Sequence, residues 1–256
     1  MGWTRSGIRP DPSENQSGLP LIQLPGVYKG GCGVLQAAGM RESWGKLMKN
    51  ARDWAVTQEI RGFQLFAGLL DRAAQLALVA AVREVVGAAP LYGPVTPGGR
   101  AMSVRMTSAG RLGWVADRRG YRYEGRHPAG MAWPAIPEAA LAVWRAVSGV
   151  ARGPDCCLVN FYGAGARMGL HQDRDEGDFS YPVVSISLGD EALFRIGAVD
   201  KAEGTESVWL RSGDVVVMGG AARLAWHGVD RVRHGSSTLL AQGGRINLTL
   251  RVVEGA

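Results

Sequence analysis

Cysteine is scarce in this sequence, which has only Cys32, Cys156 and Cys157 among its 256 residues. The count is odd and two of the three are adjacent, so the pattern does not predict a framework of disulfide bonds. Thiols that stay reduced are typical of a reducing compartment. We therefore expect the protein to be cytoplasmic.

Long apolar runs are also missing. The apolar stretch at 76–82 is far too short to cross a bilayer, and the first residues lack the apolar core of a secretory signal. We expect no membrane partner and a protein that acts as a monomer. The formal net charge of +6 at pH 7 weakly favours a polyanionic partner.

Residues 1–60 lack the periodic apolar pattern of a folded domain. They contain four prolines, a glycine cluster around Cys32 and a polar stretch at 13–17. This composition predicts a poorly ordered N-terminal extension. A folded domain is expected to cover residues 61–256.

The domain is predicted to be mainly β with flanking helices, an α+β fold. One helix is expected at 73–86, with Asp71 as its N-cap and Gly87 at its end, and a second at Glu138–Val147. A strand at 102–107 precedes a predicted turn at 108–110. Short β-type runs then follow at 158–162, 183–188, 193–196, 208–210, Val215–Met218 and 245–253. Strands at this spacing are typical of a sandwich or barrel.

The last of these runs has two different faces. Residues Ile246, Leu248, Leu250 and Val252 alternate with Arg245, Asn247, Thr249 and Arg251. The first set predicts a face packed in the core. On the other face two arginines need an anionic partner if they are buried, and a dicarboxylate suits a pair of guanidinium groups. Salt bridges to surface carboxylates are the alternative.

A candidate metal site centres on the segment that begins at His171. In an extended chain His171 and Asp173 point to the same side, with Asp175 just beyond, and His227 offers a second imidazole. Two histidines and one carboxylate with open positions are the ligand set of non-haem iron oxygenases. Each residue taken alone is more often structural. His234, in a basic loop, competes with His227 as the second imidazole.

Two further segments belong to the same argument. Asn160 and Tyr162 share one face of a predicted strand and offer hydrogen bonds to the same dicarboxylate. The hairpin at 114–123 interleaves aromatic side chains with arginines, which is typical of nucleic-acid contacts but also of a plain amphipathic surface. Its members are Trp114, Tyr121 and Tyr123 with Arg118, Arg119 and Arg122, followed by Arg126 and by His127 in an expected exposed loop.

At these residues the chain resembles the AlkB family of iron(II)/2-oxoglutarate-dependent dioxygenases, in its bacterial alkylated-DNA repair branch. The shared motifs run in order over roughly residues 61–253: TPGG at 96–99, GW at 113–114, NFY at 160–162, GLHQD at 169–173, VSISLG at 184–189, GDVVV at 213–217, HG at 227–228 and RINLTLR at 245–251. The resemblance implies a double-stranded β-helix (jelly-roll) core.

The same resemblance implies the roles of the site residues. Iron(II) would be held by His171, Asp173 and His227. The co-substrate 2-oxoglutarate would lie with its keto-acid end near Arg251 and its far carboxylate on Arg245, assisted by Asn247 and Tyr162, with Asn160 beside them. Dioxygen would be consumed, and 2-oxoglutarate would be converted to succinate.

The implied substrate is alkylated DNA carrying bases such as 1-methyladenine or 3-methylcytosine, which would be demethylated with release of formaldehyde. The flipped base would stack on Trp114 and meet the carboxylate of Asp175, while Tyr121 and Tyr123 would contact the neighbouring backbone. Lys201 stands where some members carry a nucleic-acid-contacting arginine. The alternatives are the same chemistry on RNA or on a non-nucleic substrate, and a jelly-roll binding module without enzymatic activity.

Overall fold

The computed structural model describes residues 55–255. The predicted N-terminal extension lies almost wholly outside this range and stays a prediction. The described part contains two α-helices, α1 (Arg72–Ala88) and α2 (Glu138–Val147). Its strands are β1 (Gln58–Ile60), β2 (Phe63–Phe66), β3 (Arg105–Gly110), β4 (Gly113–Asp117), β5 (Gly120–Glu124), β6 (Cys156–Tyr162), β7 (Met168–His171), β8 (Val183–Gly189), β9 (Glu191–Gly197), β10 (Thr205–Leu210), β11 (Val215–Met218), β12 (His227–Arg233) and β13 (Arg245–Arg251).

The strands form two principal antiparallel sheets. A seven-stranded sheet has the order β1-β2-β11-β8-β13-β6-β3, and a four-stranded sheet has the order β10-β9-β12-β7. Side chains of both sheets share one hydrophobic cluster, in which Leu158 and Met218 of the larger sheet pack with Phe194 of the smaller. This sandwich confirms the predicted mainly β, jelly-roll fold. The β4–β5 hairpin forms a separate two-stranded ribbon.

Both helices cover the outer face of the seven-stranded sheet. Leu78 of α1 and Trp144 of α2 belong to the same buried cluster as Leu248 of β13. The carboxylate of Asp71 accepts a hydrogen bond from the backbone N–H of Ala74 at 2.8 Å, which confirms the predicted N-cap. Within residues 55–255 no helix is long and apolar enough to cross a membrane.

Several predicted boundaries differ from the structure. Helix α1 continues through Gly87, and its C-cap is Ala89. The predicted turn at 108–110 is the second half of β3, because these residues pair with β6. Gly110, at the end of the strand, has a positive φ of 122°, and a Cβ there would lie 2.3 Å from the carbonyl oxygen of Asp155. Strand β12 was not predicted at all.

His127 was expected in an exposed loop, but it is buried. Its Nε2 lies 2.9 Å from the carbonyl oxygen of Pro90, and its ring packs edge-on against Tyr92 and Trp133. Local polarity in the sequence was misleading here because two of the burying partners, Pro90 and Tyr92, are distant in the chain. This histidine is part of the packing beneath the hairpin.

Candidate active site

Pairing of β7 with β12 brings the two predicted histidine ligands together. His171 ends β7, His227 begins β12, and the two are direct partners in the antiparallel register. Asp173 follows His171 by two residues, and its carboxylate oxygens lie 3.8 Å from the Nε2 atoms of both histidines. One ligand atom from each of the three residues lies within 4.8 Å of the others. Among residues 55–255 this is the one cluster of histidine, cysteine and acidic groups with metal-ligand spacing.

Backbone carbonyls orient both imidazoles. Nδ1 of His171 lies 2.9 Å from the carbonyl oxygen of Gly169, and Nδ1 of His227 lies 3.0 Å from that of Ala225. An N–H at Nδ1 that donates to a carbonyl leaves Nε2 as the metal-binding atom. Burial, followed by the neighbouring His171, lowers the pKa of His227 to about 4. His227 is therefore neutral, the form that binds metals.

Two arginines hold Asp173 in place. The Arg251 guanidinium donates to Oδ2 of Asp173 from Nη2 at 2.8 Å and from Nε at 3.2 Å, and Nη1 of Arg223 donates to its backbone carbonyl at 2.6 Å. Burial acts to raise the pKa of the Asp173 carboxyl, but Arg251 and the two histidines outweigh it and hold that pKa well below its usual range. Asp173 is thus an ionised ligand. Two imidazoles, one carboxylate and open positions fit iron(II).

A cavity of about 590 Å³ adjoins the triad. Its wall includes Arg245, Asn247 and Arg251 of β13 together with Asn160 and Tyr162 of β6. In the β6–β13 register Arg245 is paired with Tyr162 and Asn247 with Asn160. The predicted alternation along β13 is therefore confirmed, since its polar face lines the cavity and its apolar face packs in the core.

Three buried polar atoms in the cavity wall have no hydrogen-bond partner among residues 55–255. They are Oδ1 of Asn160, Nε of Arg245 and Nη1 of Arg251. Arg245 is 1% exposed, and burial lowers its pKa to about 10. A buried cation without a counter-anion is unfavourable. The two arginines have different partners: Arg251 donates to the carboxylate of Asp173, and Arg245 donates to Ser187 Oγ at 2.7 Å. The residues therefore fit a dicarboxylate such as 2-oxoglutarate.

The β4–β5 hairpin forms another part of the cavity wall. Nε1 of Trp114 donates to Oδ2 of Asp175 at 2.9 Å. The ring of Tyr121 is stacked on Trp114, with the ring centroids 5.5 Å apart and the planes 17° from parallel. Trp114, Tyr121 and Asp175 all line the same cavity as His171. An indole face and a carboxylate thus stand next to the metal ligands.

Tyr123 lies in the cavity wall, whereas Lys201 lies outside it. The Tyr123 hydroxyl donates to Oε1 of Glu176 at 2.5 Å in a part-buried position. Lys201 lies outside the cavity lining, with its Nζ 4.6 Å from the ring centroid of Trp226. Trp226 does line the cavity, so Lys201 reaches the site only through that ring.

The hairpin arginines are less available for phosphate contacts than their number indicates. Arg122 pairs with Asp117 at 2.9 Å and with Glu124 at 2.6 Å, and Arg119 pairs with Asp117 at 3.1 Å. Arg126 donates to the carbonyl oxygen of Gly130. Their carboxylate partners lie two to five residues away in the same hairpin, a local signal that was present in the sequence.

Glu176 and Arg223 are site residues that sequence reasoning missed. Their side chains are 1% and 3% exposed and form an ion pair at 3.0 Å. They are 47 residues apart, so nothing in the local pattern links them. The only available signals were an acidic residue directly after Asp175 and an arginine four positions before His227.

Comparison with known proteins agrees with this geometry. The model of the 2OG-Fe(II) oxygenase superfamily matches residues 62–251. The chain is 55% identical over 193 residues to the alpha-ketoglutarate-dependent dioxygenase AlkB homolog of Caulobacter vibrioides, covering 75% of this chain and 88% of that protein. It is 39% identical over 179 residues to the alpha-ketoglutarate-dependent dioxygenase AlkB of Escherichia coli, covering 68% and 82%.

A solved structure, described as the structure of OsALKBH1, is also similar. It is 32% identical in sequence, covers 76% of this chain and 100% of its own, and has a TM-score of 0.63. This solved structure is therefore similar to the chain both in fold and in sequence.

Proposed function

The chain belongs to the AlkB family of iron(II)/2-oxoglutarate-dependent dioxygenases, and from that premise we propose that it removes methyl groups from alkylated nucleobases in DNA, with 1-methyladenine and 3-methylcytosine as the type of substrate. With iron(II) and 2-oxoglutarate bound, the centre supplies oxidation of the methyl group by dioxygen, coupled to conversion of 2-oxoglutarate to succinate. Loss of the oxidised carbon as formaldehyde restores the base, so the reaction is direct-reversal DNA repair.

The observation that carries this proposal is the position of Trp114 and Asp175 beside the metal ligands. Their side chains are joined by a 2.9 Å hydrogen bond and line the cavity that holds His171. Bases methylated at these ring nitrogens are cationic, and a cation is attracted both to an aromatic face and to a carboxylate. The target base must leave the helical stack to reach such a cavity.

Two arginines of the chain would hold the two ends of 2-oxoglutarate. Arg251, which contacts Asp173, lies beside the candidate metal ligands and suits the keto-acid end of 2-oxoglutarate. Arg245 suits the far carboxylate, since its Nε has no partner and burial lowers its pKa. Asn247, Asn160 and the Tyr162 hydroxyl complete the polar wall around it.

Nucleic acid is also the substrate in the names of more distant relatives. An Arabidopsis thaliana relative, 44% identical over 108 residues, is named DNA N(6)-methyladenine demethylase ALKBH1D, and a Schizosaccharomyces pombe relative, 36% identical over 78 residues, is named tRNA demethylase abh1. RNA is therefore the second candidate substrate. Within this proposal the enzyme acts as a monomer in the cytoplasm, where Cys156 and Cys157 stay free thiols.

A panel of oligonucleotides tests the proposal. DNA and RNA of one sequence, each with 3-methylcytosine, 1-methyladenine or the unmodified base at one position, are incubated with iron(II), 2-oxoglutarate and ascorbate. Restored base and released formaldehyde are expected with methylated DNA and not with the Asp173→Ala variant. Turnover of methylated RNA alone would transfer the proposal to RNA. Absence of restored base from every member of the panel would refute it.

A further inference from the structure

A buried carboxylate connects the base-binding hairpin to the metal site. Glu176 accepts the hydrogen bond of the Tyr123 hydroxyl on Oε1 at 2.5 Å, and the same oxygen lies 3.4 Å from Nε of Arg251. Its other oxygen, Oε2, accepts from Nη2 of Arg223 at 3.0 Å. One side chain therefore touches β5 and both arginines that hold Asp173.

Both arginines act directly on the metal ligand. Arg251 binds the side-chain carboxylate of Asp173, and Arg223 binds its backbone carbonyl. Arg223 also donates from Nε to the carbonyl oxygen of Tyr181 at 2.8 Å, so its guanidinium is fixed on three sides. A shift of Glu176 would consequently move the two guanidinium groups that position the side chain and the main chain of Asp173.

The ionic contacts of Glu176 are shielded from solvent. The side chains of Glu176, Arg223 and Arg251 are 1%, 3% and 6% exposed. Burial raises the pKa of Tyr123 well above its usual value, so its hydroxyl stays protonated and is a donor to the carboxylate. Buried ionic contacts of this kind are sensitive to the removal of one partner, because the charge left behind is not rehydrated.

A second tyrosine ties down the same hairpin without touching the metal site. The hydroxyl of Tyr92 donates to the backbone carbonyl of Trp114 in β4 at 2.9 Å. The ring of Tyr92 packs against His127, on the side of the hairpin that faces Trp133. These two part-buried tyrosine hydroxyls both hold the hairpin, and of the two only that of Tyr123 leads to Asp173.

We propose that Glu176 is a positioning residue that couples the nucleobase-binding hairpin to the metal centre, through Tyr123 on one side and through Arg251 and Arg223 on the other. A base that settles on Trp114 orders the hairpin and keeps Tyr123 on Glu176, which in turn holds Asp173 in its ligand position. By linkage, binding of the methylated base tightens binding of the metal, and the reverse. This inference rests on the proposed role of the hairpin in binding the methylated base.

The test measures that linkage. Co(II), which replaces iron(II) without turnover, is titrated into the protein with saturating 2-oxoglutarate and either a 3-methylcytosine oligonucleotide or its unmethylated counterpart. The coupling factor is the ratio of the two Co(II) dissociation constants. For the wild type we expect a factor on the order of tenfold, within the usual range for linked sites. Tyr123→Phe removes one hydroxyl and is expected to bring the factor close to one.

Tyr92→Phe is the matched control, since it makes the same chemical change in the same hairpin. It is expected to weaken oligonucleotide binding while keeping the wild-type coupling factor. Glu176→Gln should lose the coupling and also weaken Co(II) binding without oligonucleotide, because Arg223 and Arg251 lose an anionic partner. The thermal unfolding midpoint of each variant establishes that it is folded, and Tyr123→Phe decides the outcome if Glu176→Gln does not fold.

The two proposals fail in different ways. If the wild type does not distinguish methylated from unmethylated oligonucleotide in binding or turnover, the proposed function is refuted and the coupling with it. If it does distinguish them, but Tyr123→Phe keeps the wild-type coupling factor or Tyr92→Phe loses it equally, the coupling alone is overturned. A factor of one for the wild type with intact methyl-specific binding also overturns the coupling alone.

Discussion

Replacement of Arg245 by methionine is expected to weaken 2-oxoglutarate binding strongly without harm to the fold. Arg245 is 1% exposed, its Nε has no partner, and its nearest hydrogen bond is to Ser187 Oγ. In the absence of co-substrate it is a buried cation whose hydrogen bonds go to neutral acceptors, Ser187 Oγ and the carbonyl oxygen of Asp190, and burial outweighs the favourable charge of Asp214. Methionine keeps much of its volume and removes the charge.

The magnitude follows from the pKa. Burial lowers the pKa of Arg245 to about 10 from its ordinary value of about 12.5, and about 1.4 kcal/mol per unit makes the unfavourable free energy roughly 3 kcal/mol. At pH 7 the group is still charged, so this destabilisation is present in the folded protein. In the opposite direction, the variant loses the hydrogen bond from Arg245 to Ser187. That loss costs about 1–3 kcal/mol if the serine hydroxyl is left unpaired. The variant without co-substrate should therefore be as stable as the wild type or more stable, by up to about 2 kcal/mol.

Binding should change in the opposite direction. Removal of the arginine from a desolvated arginine–carboxylate pair costs about 2–4 kcal/mol, which corresponds to a roughly 30- to 700-fold higher Kd for 2-oxoglutarate. Urea denaturation gives the stability, and calorimetric titration of the Co(II)-loaded protein gives the Kd. Arg83→Met, at an exposed position of α1, is the control for the loss of one positive charge. A variant that binds 2-oxoglutarate like the wild type, or that is destabilised by more than about 3 kcal/mol, would refute the reasoning.

Three further predictions concern the metal ligands and the hairpin. Asp173→Ala should weaken metal binding by on the order of 100-fold or more, measured by Co(II) titration, because even outer-shell partners contribute 10- to 100-fold. Trp114→Ala should raise KM for a methylated oligonucleotide by about 5- to 150-fold, which corresponds to the free energy of stacking one base on an aromatic ring, and should leave the Kd of 2-oxoglutarate unchanged. An unchanged KM would exclude Trp114 as the stacking platform. Metal-free protein should lose up to about 3 kcal/mol of stability as the pH falls from about 6.5 to about 4. The pKa of His227 is lowered to about 4 in the folded protein, so the unfolded chain takes up that proton first. Urea denaturation across this range should show a smaller change for His227→Gln, and an equal change would contradict the assignment.

The parts of the site that follow one strand were predictable from the sequence. Alternation along 245–251 predicted which side chains face the core and which form the opposite, polar face, because a strand has a period of two. The spacing of His171 and Asp173 predicted a shared side for the same reason. The pairing with His227 was harder, since it depends on the register between β7 and β12, and β12 itself was missed.

The parts that depend on distant partners were not predictable from local pattern. The sequence around Tyr123 is typical of a surface aromatic, but its partner Glu176 lies 53 residues further on and draws its hydroxyl inward. Arg223 is in an apolar segment, and three distant acceptors satisfy its buried guanidinium: the Glu176 carboxylate and the carbonyl oxygens of Asp173 and Tyr181. Lys201 has the charge expected of a nucleic-acid contact, yet the fold places it over Trp226, outside the cavity.

The stoichiometry of the reaction tests the central claim most directly. In a single turnover with one equivalent of 3-methylcytosine oligonucleotide, succinate and restored cytosine are quantified together by mass spectrometry. If the centre formed by His171, Asp173 and His227 couples 2-oxoglutarate oxidation to removal of the methyl group, one succinate is formed for each cytosine restored. Succinate formed without restored cytosine, or cytosine restored without 2-oxoglutarate, would contradict the account.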